Sequence, residues 1–314
     1  MLNRRLLRIK VFQALYGYQQ DESRDKKSVL NFLDKSVKHV EDEYIFLLSL
    51  PIELRYYVEN EQNPEEILYV PTKKDIETGR TFIYNRLISI LDRSELLKRK
   101  IKQVGINWYN YKDVMRMLFN GFKTSPYFQK YLNSDKKDFD AQKTLMLSFY
   151  KDYLPKHEEL HNLMEDLFIH WNDDKKAVFN SLVKTIEDLK LAEDEVEVKA
   201  LSEDFDEDWT FCKDLLNNTI KNEEELTALI QEKTKKWDTE RIADIDLILM
   251  RMSVSELLYF SNIPIKVSIN EYLDISKIYS TPKSSVFLNG ILDKLMNEMK
   301  AAGKIKKAGR GLVE

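Results

Sequence analysis

The chain has 314 residues, of which 43% are hydrophobic and 32% charged, enough for one large or two ordinary domains with a sizeable core. Eight Gly and seven Pro argue against a turn-rich all-β fold, and no glycine-rich phosphate loop is present. A single cysteine, Cys212, excludes an intramolecular disulfide or a multi-cysteine zinc site. A net charge of −4 excludes a broadly basic nucleic-acid coat but not a local patch.

Almost every segment carries helical periodicity. Residues 1–20 are basic, free of acid and amphipathic, features shared with mitochondrial presequences, but the segment is poor in serine. No apolar run approaches the roughly 20 residues that span a bilayer. The expectation is a cytoplasmic protein with no membrane association. Val29, Leu30, Phe32, Leu33, Val37, Val40, Tyr44, Leu47 and Leu48 recur at three- and four-residue steps and predict a helix over 25–60. Residues 63–75, with Pro64 and Pro71, read as a connection, and helical patterns resume at about 78–103, 110–132, 139–170 and 173–192. An acidic run between Glu193 and Asp208 places a domain boundary near 202.

Local signals are clearest in the last hundred residues. Ile242, Ile245, Ile248, Leu249, Met252 and Leu257 mark a buried helical face, and Asn262-Ile263-Pro264 ends it. Ser268 and Glu271 have the spacing of a capping box, and Thr281-Pro282 that of an N-cap followed by a first-turn proline. The expected fold class is all-α. The tail 301–314 reads as basic and frayed.

Chemistry is harder to find. His157-Glu158-Glu159-Leu160-His161 matches H-E-x-x-H, in which two histidines one turn apart hold zinc and the glutamate activates water. Leu167 occupies the place of a third histidine ligand, which leaves a zinc-dependent hydrolase as a remote alternative. Cys212 sits at a core-like helical position. No catalytic residue, metal ligand or cofactor is assigned, and the expectation is a protein that is not an enzyme.

The N-terminal helix is more telling. At about 100° per residue, Arg4, Arg5 and Arg8 share one arc while Leu2, Leu6 and Ile9 occupy the adjoining one. The guanidiniums would then project together from a docked helix, ready for phosphates and bases, or else pair with nearby acids.

These residues carry a resemblance. Arg4-Arg5-Leu6-Leu7-Arg8 followed by Gln13-Ala14-Leu15-Tyr16 resembles the opening helix of the NusB transcription antitermination factors. Arg251 to Leu257, Ile263 to Glu271, Lys277 to Tyr279 and Ser284 to Lys294 resemble that family's C-terminal blocks in order and spacing. The resemblance implies a NusB-like helical bundle of two subdomains, formed here by 1–20 and 203–300 and enlarged by an inserted helical region, 21–202. It implies an RNA-binding factor that pairs with the ribosomal protein NusE, holds boxA-type single-stranded RNA of ribosomal RNA leaders and acts with the RNA polymerase elongation complex. Carried over residue by residue, it implies RNA contacts at Arg4, Arg5, Arg8, Tyr279, Ser284, Phe287 and Asn289, and partner contacts at Glu240 and Asp246. The alternative is a protein–protein scaffold that has lost RNA binding. Ile9 and Lys283 stand where the family usually carries acids, and Gly290 suggests close helix packing.

Overall fold

The computed structural model describes residues 2–61, 73–191, 195–200, 202–234 and 242–307. Among them lie fifteen α-helices and no strand. They are α1 (Arg4–Gln20), α2 (Lys26–Glu61), α3 (Lys73–Ile83), α4 (Arg86–Arg93), α5 (Glu95–Val104), α6 (Lys112–Thr124), α7 (Pro126–Leu132), α8 (Phe139–Ser148), α9 (Glu158–Leu167) and α10 (Trp171–Asp188). There follow α11 (Phe205–Lys221), α12 (Glu223–Thr234), α13 (Asp244–Tyr259), α14 (Ile265–Tyr279) and α15 (Ser284–Ala301). None is long and apolar enough to cross a membrane. The chain divides into two compact units, one of residues 38–203 and one of 2–37 with 204–314.

The 38–203 unit is built around the part of α2 that it contains. Pro51 lies inside that helix and has no N–H to give the carbonyl of Leu47. The Tyr150 hydroxyl, fully buried in a π-helical turn at Phe149–Tyr153, donates to that carbonyl at 3.1 Å. A proline that would orphan an acceptor is thus tolerated because a phenol replaces the missing donor. Trp108 stacks on Phe46 with ring centroids 4.1 Å apart and donates its indole N–H to the Phe46 carbonyl at 3.0 Å. The predicted helix over 78–103 is three shorter ones. Asn85 and Ser94 turn their side chains onto the amides of Leu87 and Leu97 and restart the helix each time. Ser125 does the same before Pro126. Most of the predicted 63–75 connection falls outside the described residues, and α3 begins at Lys73.

In the other unit, α1 packs against α11, α13 and α14, and α13 packs against α12, α14 and α15. Ile248, Leu249, Met250, Met252, Val254 and Leu257 of α13 are buried on all sides, which makes it the central helix. Two local expectations are corrected here. Helix α14 starts at Ile265 behind Pro264, so Ser268 and Glu271 lie past its first turn and form no capping box. Gly290 is exposed, with open space where a Cβ would stand, so it serves no close packing. The chain after α15 turns at Gly303 (φ 65°), and the Lys307 ammonium reaches back to donate to the Phe260 carbonyl at 2.7 Å. The tail is therefore anchored through Lys307, where fraying is expected from sequence.

Candidate nucleic-acid interface

Asn3 caps α1 by accepting from the Leu6 amide at 2.8 Å, which fixes the rotation of the first turn and with it the arginines. Arg4 lies beside α11: its Nη2 meets Glu207 Oε1 at 2.5 Å and its Nε meets Asp208 Oδ1 at 3.5 Å. Its guanidinium also sits 4.6 Å from the Phe211 ring centroid. Arg5 turns to α14, where Nε and Nη2 grip Glu271 at 2.8 and 3.0 Å and Nη2 reaches Asp274 at 2.8 Å. These bonds, the Glu271 one foremost, raise the Arg5 pKa above its ordinary value. Asp274 is held below the usual carboxylate range first by Lys277 and then by Arg5. The Arg4 and Arg5 side chains remain 36% and 41% exposed.

Arg8 is different, and the expectation of three guanidiniums projecting together is corrected. Its side chain is 1% exposed and forms a bidentate pair with Glu256 of α13, itself fully buried, at 2.8 and 2.6 Å. Ser268 Oγ and Tyr272 Oη of α14 donate to the same carboxylate at 2.6 and 2.9 Å, so Glu256 receives four hydrogen bonds. Burial is the largest single influence and works against the charge on Arg8, but the bond to Glu256 together with the Tyr272, Glu256 and Glu271 charges outweighs it and the pKa rises. Burial and then the Glu256 charge push the Tyr272 phenol well above its ordinary range. The third Arg8 nitrogen donates to the Arg4 carbonyl at 3.1 Å. Arg8 is thus a bolt between three helices, and a ligand cannot reach it.

The second cluster lies where α14 gives way to α15. The half-buried Tyr279 ring packs on Phe12 of α1 at 5.1 Å. Arg5 against Glu271 and Phe12 against Tyr279 show that α1 and α14 run in the same direction. The α14–α15 turn therefore lies beyond Phe12, about 10 Å along α1 from Arg5. The two clusters share a face without converging on one point. Ser284 is 6% exposed, and its hydroxyl is 2.8 Å from those of both Ser280 and Thr281. The expected phosphate contact through Ser284 is corrected on that ground: the hydroxyl is spent inside the turn. Thr281 lies three residues before the helix begins and acts on Ser284 instead of capping it directly. Asn289 is exposed and donates to Asp293 at 3.3 Å, Phe287 is half-buried, and Lys283 is exposed at the helix start.

Of the two acids assigned to a partner, Glu240 lies outside the described residues. Asp246 is on the first turn of α13 but only 6% exposed, with Oδ1 buried and without a hydrogen-bond partner. It is not displayed toward solvent, which corrects the expectation of an acid facing a basic protein. The residues that sequence reasoning missed are the carboxylates Glu207, Asp208, Glu256, Glu271 and Asp274. The i,i+3 spacing of Glu271 and Asp274 and the acid-rich start of α11 were the available signals.

The H-E-x-x-H match resolves into packing. His161 Nε2 faces the Pro155 carbonyl at 2.9 Å and Nδ1 accepts from the Trp171 indole at 3.0 Å, so both ring nitrogens are used. His157 Nδ1 lies 3.0 Å from Glu159 at the start of α9, and burial lowers its pKa. Cys212 is fully buried, and burial pushes its thiol up to about 12. Neither is placed for chemistry.

The NusB family model matches residues 176–297. That stretch is NusB-like. Its curated relatives include proteins named "Transcription antitermination protein NusB" from Chloroherpeton thalassium (45% identical over 104 residues), Salinibacter ruber (41% over 103) and Desulforamulus reducens (39% over 95). The matches cover 33%, 33% and 30% of this chain, and the chain spans only 49%, 64% and 66% of those relatives. No solved structure matches it significantly. The NusB match opens inside α10, earlier than the acidic run, and holds all of α11 to α14 and most of α15, including Glu256, Glu271 and Asp274. Helix α1 lies outside it in sequence but packs directly on it.

Proposed function

We infer that this protein is a non-catalytic adaptor of transcription antitermination whose NusB domain, with α1, binds single-stranded RNA. The observation that supports this most is the match of 176–297 to the NusB family, with relatives named for antitermination. In the finer reading the domain pairs with NusE, holds boxA-type RNA and works within the RNA polymerase elongation complex. Arg4 and Arg5 are the accessible cations of α1. Tyr279, Phe287 and Asn289 belong to the α14–α15 end, where the first turn of α15 leaves backbone amides without helical acceptors. Arg8 and Ser284 hold this face in shape. Asp246 is left as a partner contact only after local opening.

The test is a fluorescence-anisotropy titration of the full chain, with and without NusE, against boxA-like and scrambled RNA. Arg4→Ala with Arg5→Ala weakens boxA binding more than tenfold, about 1.4 kcal/mol. It also lowers the slope of log affinity against log salt by about 1.4, since about 0.7 is lost per phosphate contact on a single strand. Unchanged affinity and slope overturn the RNA assignment.

One observation favours a second reading: each α1 arginine already has a carboxylate. A scaffold that keeps NusE and has lost RNA would show co-purification with NusE and no response to either RNA.

A further inference from the structure

One stretch of the inserted unit is locally basic in a chain that is acidic overall. Overall, 49 Lys and Arg stand against 53 Asp and Glu. Between Lys98 and Lys130, however, lie eight basic residues (98, 99, 100, 102, 112, 116, 123 and 130) and one acid, Asp113. This stretch runs through α5, a 3-10 turn at Trp108–Tyr111, and α6, all within the 38–203 unit and outside the residues that match NusB.

Three of these cations are satisfied by acids: Lys98 by Glu95 at 3.0 Å, Lys100 by Glu41, and Arg116 by Asp113 at 2.8 Å. Lys102, Lys112, Lys123 and Lys130 have no carboxylate partner among the described residues, and Arg99 is within electrostatic reach of Glu195 without a salt bridge to it. The hydrogen bond of Arg99 stays within its own helix, with Nε 3.4 Å from the Glu95 carbonyl. The elements that carry them are held together. Lys100 pins α5 to Glu41 of α2, and Trp108 pins the 3-10 turn to Phe46 of the same helix. Those anchors are five residues, about 7.5 Å, apart.

The exposed side of the 3-10 turn and α6 is continuous. Tyr109, Lys112, Asp113, Arg116, Met117 and Asn120 recur at one- to four-residue steps, while Met115, Leu118, Phe119 and Phe122 fill the other side. Tyr109 is 65% exposed, and the Lys112 ammonium stands 4.1 Å from its ring centroid. A flat ring held in solvent by a cation, between spaced and unpaired positive charges, fits an unpaired nucleic-acid strand. Phosphates take the ammonium and guanidinium groups, and a base stacks on the ring. An acidic protein surface would use the charges but give no role to the bare ring. A lipid surface would need an apolar face beneath the cations, and here that face is buried in the unit's own core.

We propose that Arg99, Lys102, Lys112 and Tyr109 form a second, sequence-tolerant binding site for single-stranded RNA in the inserted unit. This site goes beyond the NusB reading and does not need Arg4 or Arg5. The test uses the full chain and a labelled 30-nucleotide oligo(U) RNA, followed by anisotropy over a range of salt. The triple variant R99Q/K102Q/K112Q binds at least about tenfold more weakly, and its salt slope falls by about 2. Tyr109→Ala weakens binding at least about fivefold with the slope unchanged. Lys102→Arg with Lys112→Arg keeps the affinity. All these positions are exposed, and equal thermal melts check that the fold is kept. Arg4→Ala with Arg5→Ala is scored on boxA-like RNA and the triple variant on oligo(U), so failure of either reading is seen separately. The proposal is overturned if the triple variant keeps its affinity and slope. It is equally overturned if the parent chain fails to bind oligo(U), whether or not it binds vesicles of anionic lipid.

Discussion

Replacing Arg8 by alanine removes the cation paired bidentately with the buried Glu256 carboxylate, and its cost can be worked from the contacts. Two charge-assisted bonds at 2.8 and 2.6 Å disappear, while the hydroxyls of Ser268 and Tyr272 continue to donate. Breaking a buried pair on one side costs about 3–5 kcal/mol. The two remaining donors place Arg8→Ala near the lower end of that range. The vacated space against Phe211 and Tyr272 returns about 1 kcal/mol to the penalty. The expected loss is therefore about 4 kcal/mol, a large fraction of the 5–15 kcal/mol that stabilises a typical domain. Because the chain has two units, global melting mixes their transitions. The measurement is native-state hydrogen exchange on the amides of α13 and α14. Glu256→Gln leaves every α1 arginine in place, yet it is expected to cost about 2–3 kcal/mol, since the neutral amide can no longer balance the buried guanidinium. In a double-mutant cycle, Arg8→Met with Glu256→Leu recovers at least about 2 kcal/mol of the summed single losses. Single losses under about 1 kcal/mol, or strict additivity, would refute the account of Arg8 as a structural bolt.

Two further expectations concern the sites on either side of that bolt. Glu207→Gln frees Arg4 from an exposed ion pair of about 0–1 kcal/mol, so boxA-like RNA binds up to about fivefold tighter; weaker binding in the same anisotropy assay would count against a role for Arg4. His161→Phe strips the Trp171 indole of its acceptor, at a cost of about 1–3 kcal/mol in native-state hydrogen exchange on α9 and α10, and leaves the zinc content measured by mass spectrometry unchanged; loss of bound zinc would revive the metal reading.

The helical character of the molecule was legible because periodicity needs only local sequence. Where helices stop was read less well. Asn85, Ser94 and Ser125 are ordinary capping residues, but the apolar pattern continues across them and masks the break. The pair Ser268 and Glu271 misled in the opposite direction. Their spacing satisfies a local rule, yet Pro264 starts the helix earlier, and each side chain serves a tertiary partner instead: Ser268 goes to Glu256 and Glu271 to Arg5. The candidate site suffered most from distance along the chain. A helical wheel places Arg4, Arg5 and Arg8 on one arc but says nothing of which edge of that arc docks. The carboxylate that draws Arg8 inward is 248 residues away. The H-E-x-x-H match failed for a similar reason, since Trp171, which occupies the His161 nitrogen, lies on the next helix.

The grip of Glu271 and Asp274 on Arg5 has a consequence for any anion that reaches it. A free arginine gives up about 1.5–2 kcal/mol of rotamer freedom when it is immobilised, and here folding has already frozen the side chain in place. An incoming phosphate must therefore outcompete two carboxylates, but it meets a fork whose nitrogens already point in fixed directions. Such exchange favours ligands whose oxygens match that geometry over diffuse negative charge, so discrimination at this position comes at the expense of raw strength.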